Sequence, residues 1–542
     1  MKIKNLKLKI VLLIVLSLGF LLRVYGLNWD EGHYLHPDER LYINSSNIYL
    51  PKNLQEFFSA NSPLNQKMFL YGPLPLYIYK IVNIFLLPQA NFLITSRLAS
   101  SVFSLLTIPL IFLISKQLFS TRTSVLSAFI FTFSAGSIQH AHFNTTESIL
   151  VFLLSCVVLF SFKLLSHEKY STIITLSLLV GASYATKITA LLFIIIPLLS
   201  IFLTLLKSRK IKKYILVTSI FIILTIFFCV SLAPYQIIDF TNFQKDQTYM
   251  QSVILGKYKP PFTIIYEQSI PYLYQILKVL PFIFGFISFP LSILGGFLLG
   301  CKLLKNKKMN YKYLLILVFP ILYFLISGIW YAKFARYYIL LFPFLSIWAG
   351  YSLSRLKNTL VIILLLLITA NGLLFMKIYL EENTRIQASK WIYDNVSNQS
   401  RIAGEHWDDN LPLLFSNTFG KSFINTQLTV YDQDSVEKIF KLSQSLSEND
   451  YFIISSRRVY YSILRNGNKY PLTNIFYKLL FAEKLGYKLE KKFTNYPFYF
   501  NDDFADESFQ SYDHPPVIIF KNEKKLSSDQ IYNLITLNTT QL

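Results

Sequence analysis

Eleven apolar runs, all before residue 380, set the strongest constraint on how this chain can fold: 8–27, 97–114, 124–140, 148–166, 171–186, 188–206, 214–233, 279–301, 313–330, 337–350 and 359–379. A bilayer core of about 30 Å takes roughly 20 apolar residues as a helix, so each run reads as a span. Runs 124–140, 171–186 and 337–350 are the short ones. A twelfth apolar stretch, 69–87, is interrupted by Pro73, Pro75 and Lys80 and reads as interfacial or re-entrant. With only 15% charged residues, against roughly 25% in soluble domains, the expected fold is a polytopic α-helical membrane protein of about eleven transmembrane helices.

The net charge of +22 could suggest a nucleic-acid partner. Its distribution argues otherwise, because residues 1–380 hold 34 of the 52 Lys/Arg but only 10 of the 30 Asp/Glu. Positive charge on the apolar part is a topology signal. With Lys2, Lys4, Lys7 and Lys9 in the cytoplasm, most remaining cations fall in inner connections, including Lys207–Lys213 and Lys302–Lys312. The basic start followed by an apolar run without a cleavage site reads as a retained signal anchor in the plasma (inner) membrane. An odd number of spans then puts residues 381–542 outside.

Residues 381–542 have a soluble composition. Short β-branched and aromatic runs at 401–405, 451–455 and 516–521 read as strands, and 387–395 and 474–485 as helices, giving an extracytoplasmic α/β domain. Cys156, Cys229 and Cys301 all lie in expected spans, so no disulfide framework exists. The sequence Glu405-His-Trp-Asp-Asp409 reads as a strand end beside a loop, with Trp407 stacking on a sugar as the alternative.

Of the ten acids in 1–380, nine fall on the outer side. Asp30, Glu31, Asp38 and Glu39 crowd the first outer loop (28–96), and Glu147 opens the fourth span. Acids near a membrane are costly and mark function. Three outer cations, Lys187, Lys333 and Arg336, break the charge bias. Snorkelling to headgroups would explain them; so would an anionic ligand, with Arg making bidentate and Lys point contacts to phosphate. Together these groups suit transfer from a lipid phosphate, a carboxylate taking the acceptor's proton and cations holding the leaving phosphate.

Arg23-x-Tyr25, Pro37-Asp-Glu-Arg-Leu-Tyr42, Tyr71-Gly-Pro-Leu-Pro75, Arg97, Glu147, Thr186-Lys187, Pro234 and Arg336 with Pro343 follow one another through residues 1–380. In this order the chain resembles the GT-C glycosyltransferases, within them the protein O-mannosyltransferase and aminoarabinose-transferase group. The resemblance implies a GT-C-like domain over 1–380 and inverting transfer from a polyprenyl-phosphate sugar to an acceptor hydroxyl on a protein, lipid or glycan. It implies Asp38 as catalytic base with Glu39 beside it, and Glu147 at a second acidic position where many relatives have Asp. Lys187 and Arg336 would hold the donor phosphate, with Lys333 a further candidate. The interfacial helices of such a first loop match 69–87.

His36, His140 and His142 lie in the loops that carry Asp38 and Glu147, where they could contact substrate or a divalent metal. The rival reading is a transporter or flippase of lipid-linked sugars. Such proteins place charges near the midplane in repeated halves, whereas here they sit at outer helix ends without a repeat.

Overall fold

The computed structural model describes residues 6–305, 310–415 and 420–538; Lys2, Lys4, Lys307 and Lys308 of the topology argument lie outside the described residues. The chain divides into two compact units. The first comprises Met1–Asn28, His36–Gln251 and Pro271–Met376; the second comprises Trp29–Leu35, Ser252–Ile270 and Lys377–Leu542. The four acids of the first loop are therefore divided, Asp30 and Glu31 in one unit and Asp38 and Glu39 in the other.

The first unit is helical, and the protein is an integral membrane protein. Among the described residues seven helices are long and apolar enough to cross a membrane: Phe92–Lys116, Glu147–Ser166, Ile188–Ser208, Ile211–Leu232, Ser288–Lys305, Tyr311–Gly328 and the one that starts at Asn358. Leu6–Val24 carries Lys7, Lys9 and Arg23, and Tyr170–Thr186 has 17 residues.

Three expected runs are interrupted. Run 124–140 folds as Thr121–Thr132 and Ala135–Ala141. The carbonyls exposed at this break are met by polar side chains, as buried helix ends require. Arg23 donates to Phe131 O (3.3 Å) and Thr132 O (3.2 Å), and Ser134 Oγ donates to Phe131 O (2.9 Å). Run 279–301 breaks at Gly285, whose φ of +113° only glycine adopts without strain. Run 337–350 begins as the 3₁₀ turn Ala335–Leu341 before Phe342–Leu353.

Within 69–87 the helix is Leu74–Phe85, whose 12 residues rise about 18 Å, short of a bilayer core. Ahead of it, Pro37–Asn44 begins with proline at its first position and His36 as N-cap, His36 Nδ1 accepting from the Asp38 N–H (3.2 Å). Asp38 and Glu39 thus occupy a helix first turn, where the dipole favours anions.

The second unit carries a five-stranded sheet of order β2-β1-β3-β5-β4: β1 Arg401–Glu405, β2 Ile424–Leu428, β3 Tyr451–Ile454, β4 Tyr487–Phe493 and β5 Val517–Asn522. Strands β2, β1 and β3 are parallel, while β5 and β4 run antiparallel. The apolar strands β1, β3 and β5 coincide with the sequence pattern to within a residue or two. The edge strands β2 and β4 were not legible. Ile-Asn-Thr-Gln-Leu and Tyr-Lys-Leu-Glu-Lys-Lys-Phe are polar, as edges that must resist further pairing tend to be. Helices Thr384–Asn395 and Pro471–Phe481 fall near the expected 387–395 and 474–485. All three cysteines are free thiols.

Candidate active site

Asp38 and Glu39 are neighbours in sequence but meet different environments. Glu39 is fully buried and held by a bidentate pair, Arg97 Nε to Oε1 (2.9 Å) and Nη2 to Oε2 (2.6 Å). The Asn144 backbone N–H adds a third donor to Oε1 (2.5 Å), and Arg97 Nη1 continues to Leu27 O (2.8 Å). A buried charge survives only with partners of this quality. Asp38 instead keeps 16% of its side-chain surface and pairs with the Arg336 guanidinium, which is equally accessible. The first pair is locked; the second is open to a competing anion.

Glu147, at the start of Glu147–Ser166, forms a third pair with Lys187 (3.3 Å), and the Thr146 hydroxyl donates to its Oε1 (3.2 Å). Lys187 terminates Tyr170–Thr186 in extended backbone, which directs it away from the helix axis. Its Nζ lies 5.4 Å from the ring centres of both Tyr71 and Tyr337. Arg336 lies 5.1 Å from the Phe334 ring and 5.8 Å from the same Tyr337 ring. Lys187 and Arg336, 149 positions apart in sequence, therefore converge on one aromatic side chain.

Gly72 makes this convergence possible. Its N–H donates to Thr186 O (3.0 Å), and a Cβ at this position would lie 2.0 Å from Ala185 O. The Tyr71-Gly-Pro segment is thereby seated directly on the Thr186-Lys187 turn. Tyr42 stacks on Tyr71 (5.8 Å) and meets Tyr79 edge-on (5.9 Å). Burial, with Tyr79 and Glu147 nearby, holds the Tyr42 hydroxyl well above its ordinary pKa. Tyr79 Oη donates to Thr145 O (3.0 Å), tying this cluster to the loop that precedes Glu147.

The remaining candidates sit around these pairs. Lys333 is almost fully buried, its Nζ donating to Tyr331 O (3.1 Å). His36 caps its helix and packs on Phe143 (4.6 Å). His140 meets Phe143 edge-on (5.7 Å) and interacts electrostatically with Glu147. His142 has both ring nitrogens on backbone carbonyls, Nδ1 on Ile138 O (2.9 Å) and Nε2 on Tyr25 O (2.7 Å). Among the described residues no group of three or more His, Cys, Asp or Glu side chains is arranged to hold a metal ion. Each carboxylate here faces a cation instead, so the donor set does not fit a divalent metal and no step is routed through one.

Sequence reasoning did not find Tyr337 or Asn144, nor that Arg97 partners Glu39. A lone arginine near the start of an apolar helix was the one signal for the pairing. Tyr337 and Asn144 are uncharged and stand out in no pattern.

Residues 72–232 match the family model of dolichyl-phosphate-mannose-protein mannosyltransferases. The match carries the GT-C resemblance over that segment, which includes Gly72, Arg97, Glu147 and Lys187. No curated protein matches the chain. Among solved structures, the Archaeoglobus fulgidus oligosaccharyltransferase in its apo form is similar at 11% identity and TM-score 0.49, covering 87% of this chain and 73% of its own. ArnT from Cupriavidus metallidurans in the apo state is similar at 14% identity and TM-score 0.46, covering 84% and 94%.

Proposed function

We propose that this protein is a membrane glycosyltransferase that moves a sugar from a polyprenyl-phosphate donor to an acceptor hydroxyl. The observation that carries this reading is the meeting of Lys187 and Arg336 at Tyr337, each cation paired with a carboxylate, Glu147 and Asp38, at the end of a helix or turn. The family model over 72–232 supports the same class of donor.

The chemistry follows from the pairs. A donor phosphate competes with Asp38 for Arg336 and is also met by Lys187, because a dianionic or diester phosphate offers more acceptor oxygens than one carboxylate. Asp38, released from its cation, accepts the proton of the acceptor hydroxyl. The acceptor oxygen forms its bond to the anomeric carbon as the carbon–oxygen bond to phosphate breaks, and the electron pair leaves on polyprenyl phosphate. Arg336 and Lys187 stabilise that leaving charge. A single displacement inverts the anomeric centre. Glu39 stays bound to Arg97 and anchors the turn that carries Asp38. In this reading eleven helices cross the plasma (inner) membrane. The N-terminus is cytoplasmic and residues 381–542 form an extracytoplasmic domain attached to the 1–380 catalytic domain.

The test is Asp38→Asn in the full chain reconstituted in lipid vesicles. Transfer falls about 10²- to 10⁴-fold, the range for a lost general base, while donor binding is retained. Unchanged transfer overturns the base assignment, and donor crossing the bilayer without transfer favours the flippase.

A further inference from the structure

Three polar atoms beside the ion pairs have no hydrogen-bond partner among the described residues: Tyr42 Oη and both Oδ1 and Nδ2 of Asn144. Tyr42 and Asn144 are each 0% exposed. A buried polar group without a partner costs about 1–3 kcal/mol, and native proteins keep few of them. Two such side chains in one place are therefore a feature to be explained by a ligand.

Their placement says which ligand. Glu39 and Tyr42 are three residues apart on Pro37–Asn44 and so share a helix face. The Asn144 N–H is on Glu39, and Tyr42 meets Tyr79, whose hydroxyl is on Thr145 O. Both unpartnered side chains thus flank the loop 144–146, immediately before Glu147 and its partner Lys187. The Asn144 amide offers two donors and an acceptor, and the Tyr42 hydroxyl offers one of each. Neither carries charge, and the carboxylate bonded to Asn144, Glu39, is closed off by Arg97. The groups suit a ligand rich in neutral hydroxyls next to a phosphate.

We infer that Tyr42 and Asn144 form the donor-sugar subsite and select a neutral, hydroxyl-bearing sugar over an amino sugar. This rests on the transferase reading above and names the substrate class of the same site. A site built to hydrogen-bond hydroxyls rejects ligands that leave its polar groups unpaired.

The experiment measures affinity of the full chain in lipid nanodiscs for three probes: farnesyl phosphate, farnesyl-phosphoryl hexose and its amino-hexose counterpart. The wild type binds the hexose-bearing lipid about tenfold more tightly than bare farnesyl phosphate. Asn144→Ala and Tyr42→Phe each lower that ratio several-fold and leave affinity for bare farnesyl phosphate unchanged. Melting temperature stays level or rises, because each variant removes a buried group that lacked a partner. An unchanged ratio in both variants overturns the subsite, as does tighter binding of the amino-hexose lipid or a fall in melting temperature that marks a structural role. Failure of farnesyl phosphate itself to bind would instead overturn the transferase reading.

Discussion

The two units treat buried acids in opposite ways. In the first unit Asp38, Glu39 and Glu147 each face a basic side chain, so charge is kept and balanced. In the second, Glu405 at the end of β1 is buried with no ion pair among the described residues. It accepts from the Tyr477 hydroxyl, and burial pushes its carboxyl well above the usual range. His514 is buried between Asp513 (2.6 Å) and Asp502 (2.9 Å), and the two carboxylates outweigh burial to raise it to about 9. One unit holds its acids ionised against cations; the other buries protons. An ionised acid with an exchangeable cation is useful to a reaction that must receive a phosphate. A buried protonated one only has to be stable.

Breaking the locked pair gives the largest effect. Arg97→Ala leaves Glu39 buried without its counter-charge and costs about 3–5 kcal/mol, the range for removing one partner of a buried pair. Thermal unfolding of the reconstituted protein reads it. A loss as small as that of a surface pair would show that Glu39 is relieved by water or protonation.

The second unit's protons make its stability fall as pH rises. His514 is raised in the folded state, so its contribution is complete below the unfolded value near 6.5 and is lost as pH climbs through about 9. Glu405, raised likewise, is protonated in the fold and ionised in the unfolded chain above about 4.3, so it works in the same direction. Unfolding of the full chain followed from pH 6 to 9.5 should show the decline, and His514→Gln should flatten it over the upper part of that range. A rise in stability across this window would contradict the protonated histidine.

The smallest effect is expected from Tyr477→Phe, which removes the hydroxyl on Glu405 and costs about 1–3 kcal/mol with the carboxyl left short of a donor. Its sharper signature is a displaced pH dependence. Identical pH profiles for variant and wild type would remove Glu405 from the account.

Residues 1–380 disclosed their helices because a bilayer demands long apolar runs, and runs of that length are visible without any partner. The charged candidates were legible for the same reason. Asp38, Glu39, Glu147, Lys187 and Arg336 are expensive where they lie, so each stood out against its surroundings. The breaks at 133–134 and Gly285 were hidden, since a helix interrupted inside an apolar run keeps its composition while its carbonyls are met by residues far away, such as Arg23. The histidines show the converse: proximity in sequence suggested ligands, yet His142 is bound to backbone on both nitrogens.

What the sequence determined by itself was the solvent of each part, the existence of a helical membrane unit and a sheet unit, and the identity of the charges that need a reason. Tertiary structure alone decided which charge answers which. Glu39 meets Arg97 across 58 positions and Asp38 meets Arg336 across 298, distances over which no periodicity carries information. Tertiary structure also decided that Tyr42 and Asn144 stay without partners, since an uncharged polar residue reveals its cost only when packing has taken the water away.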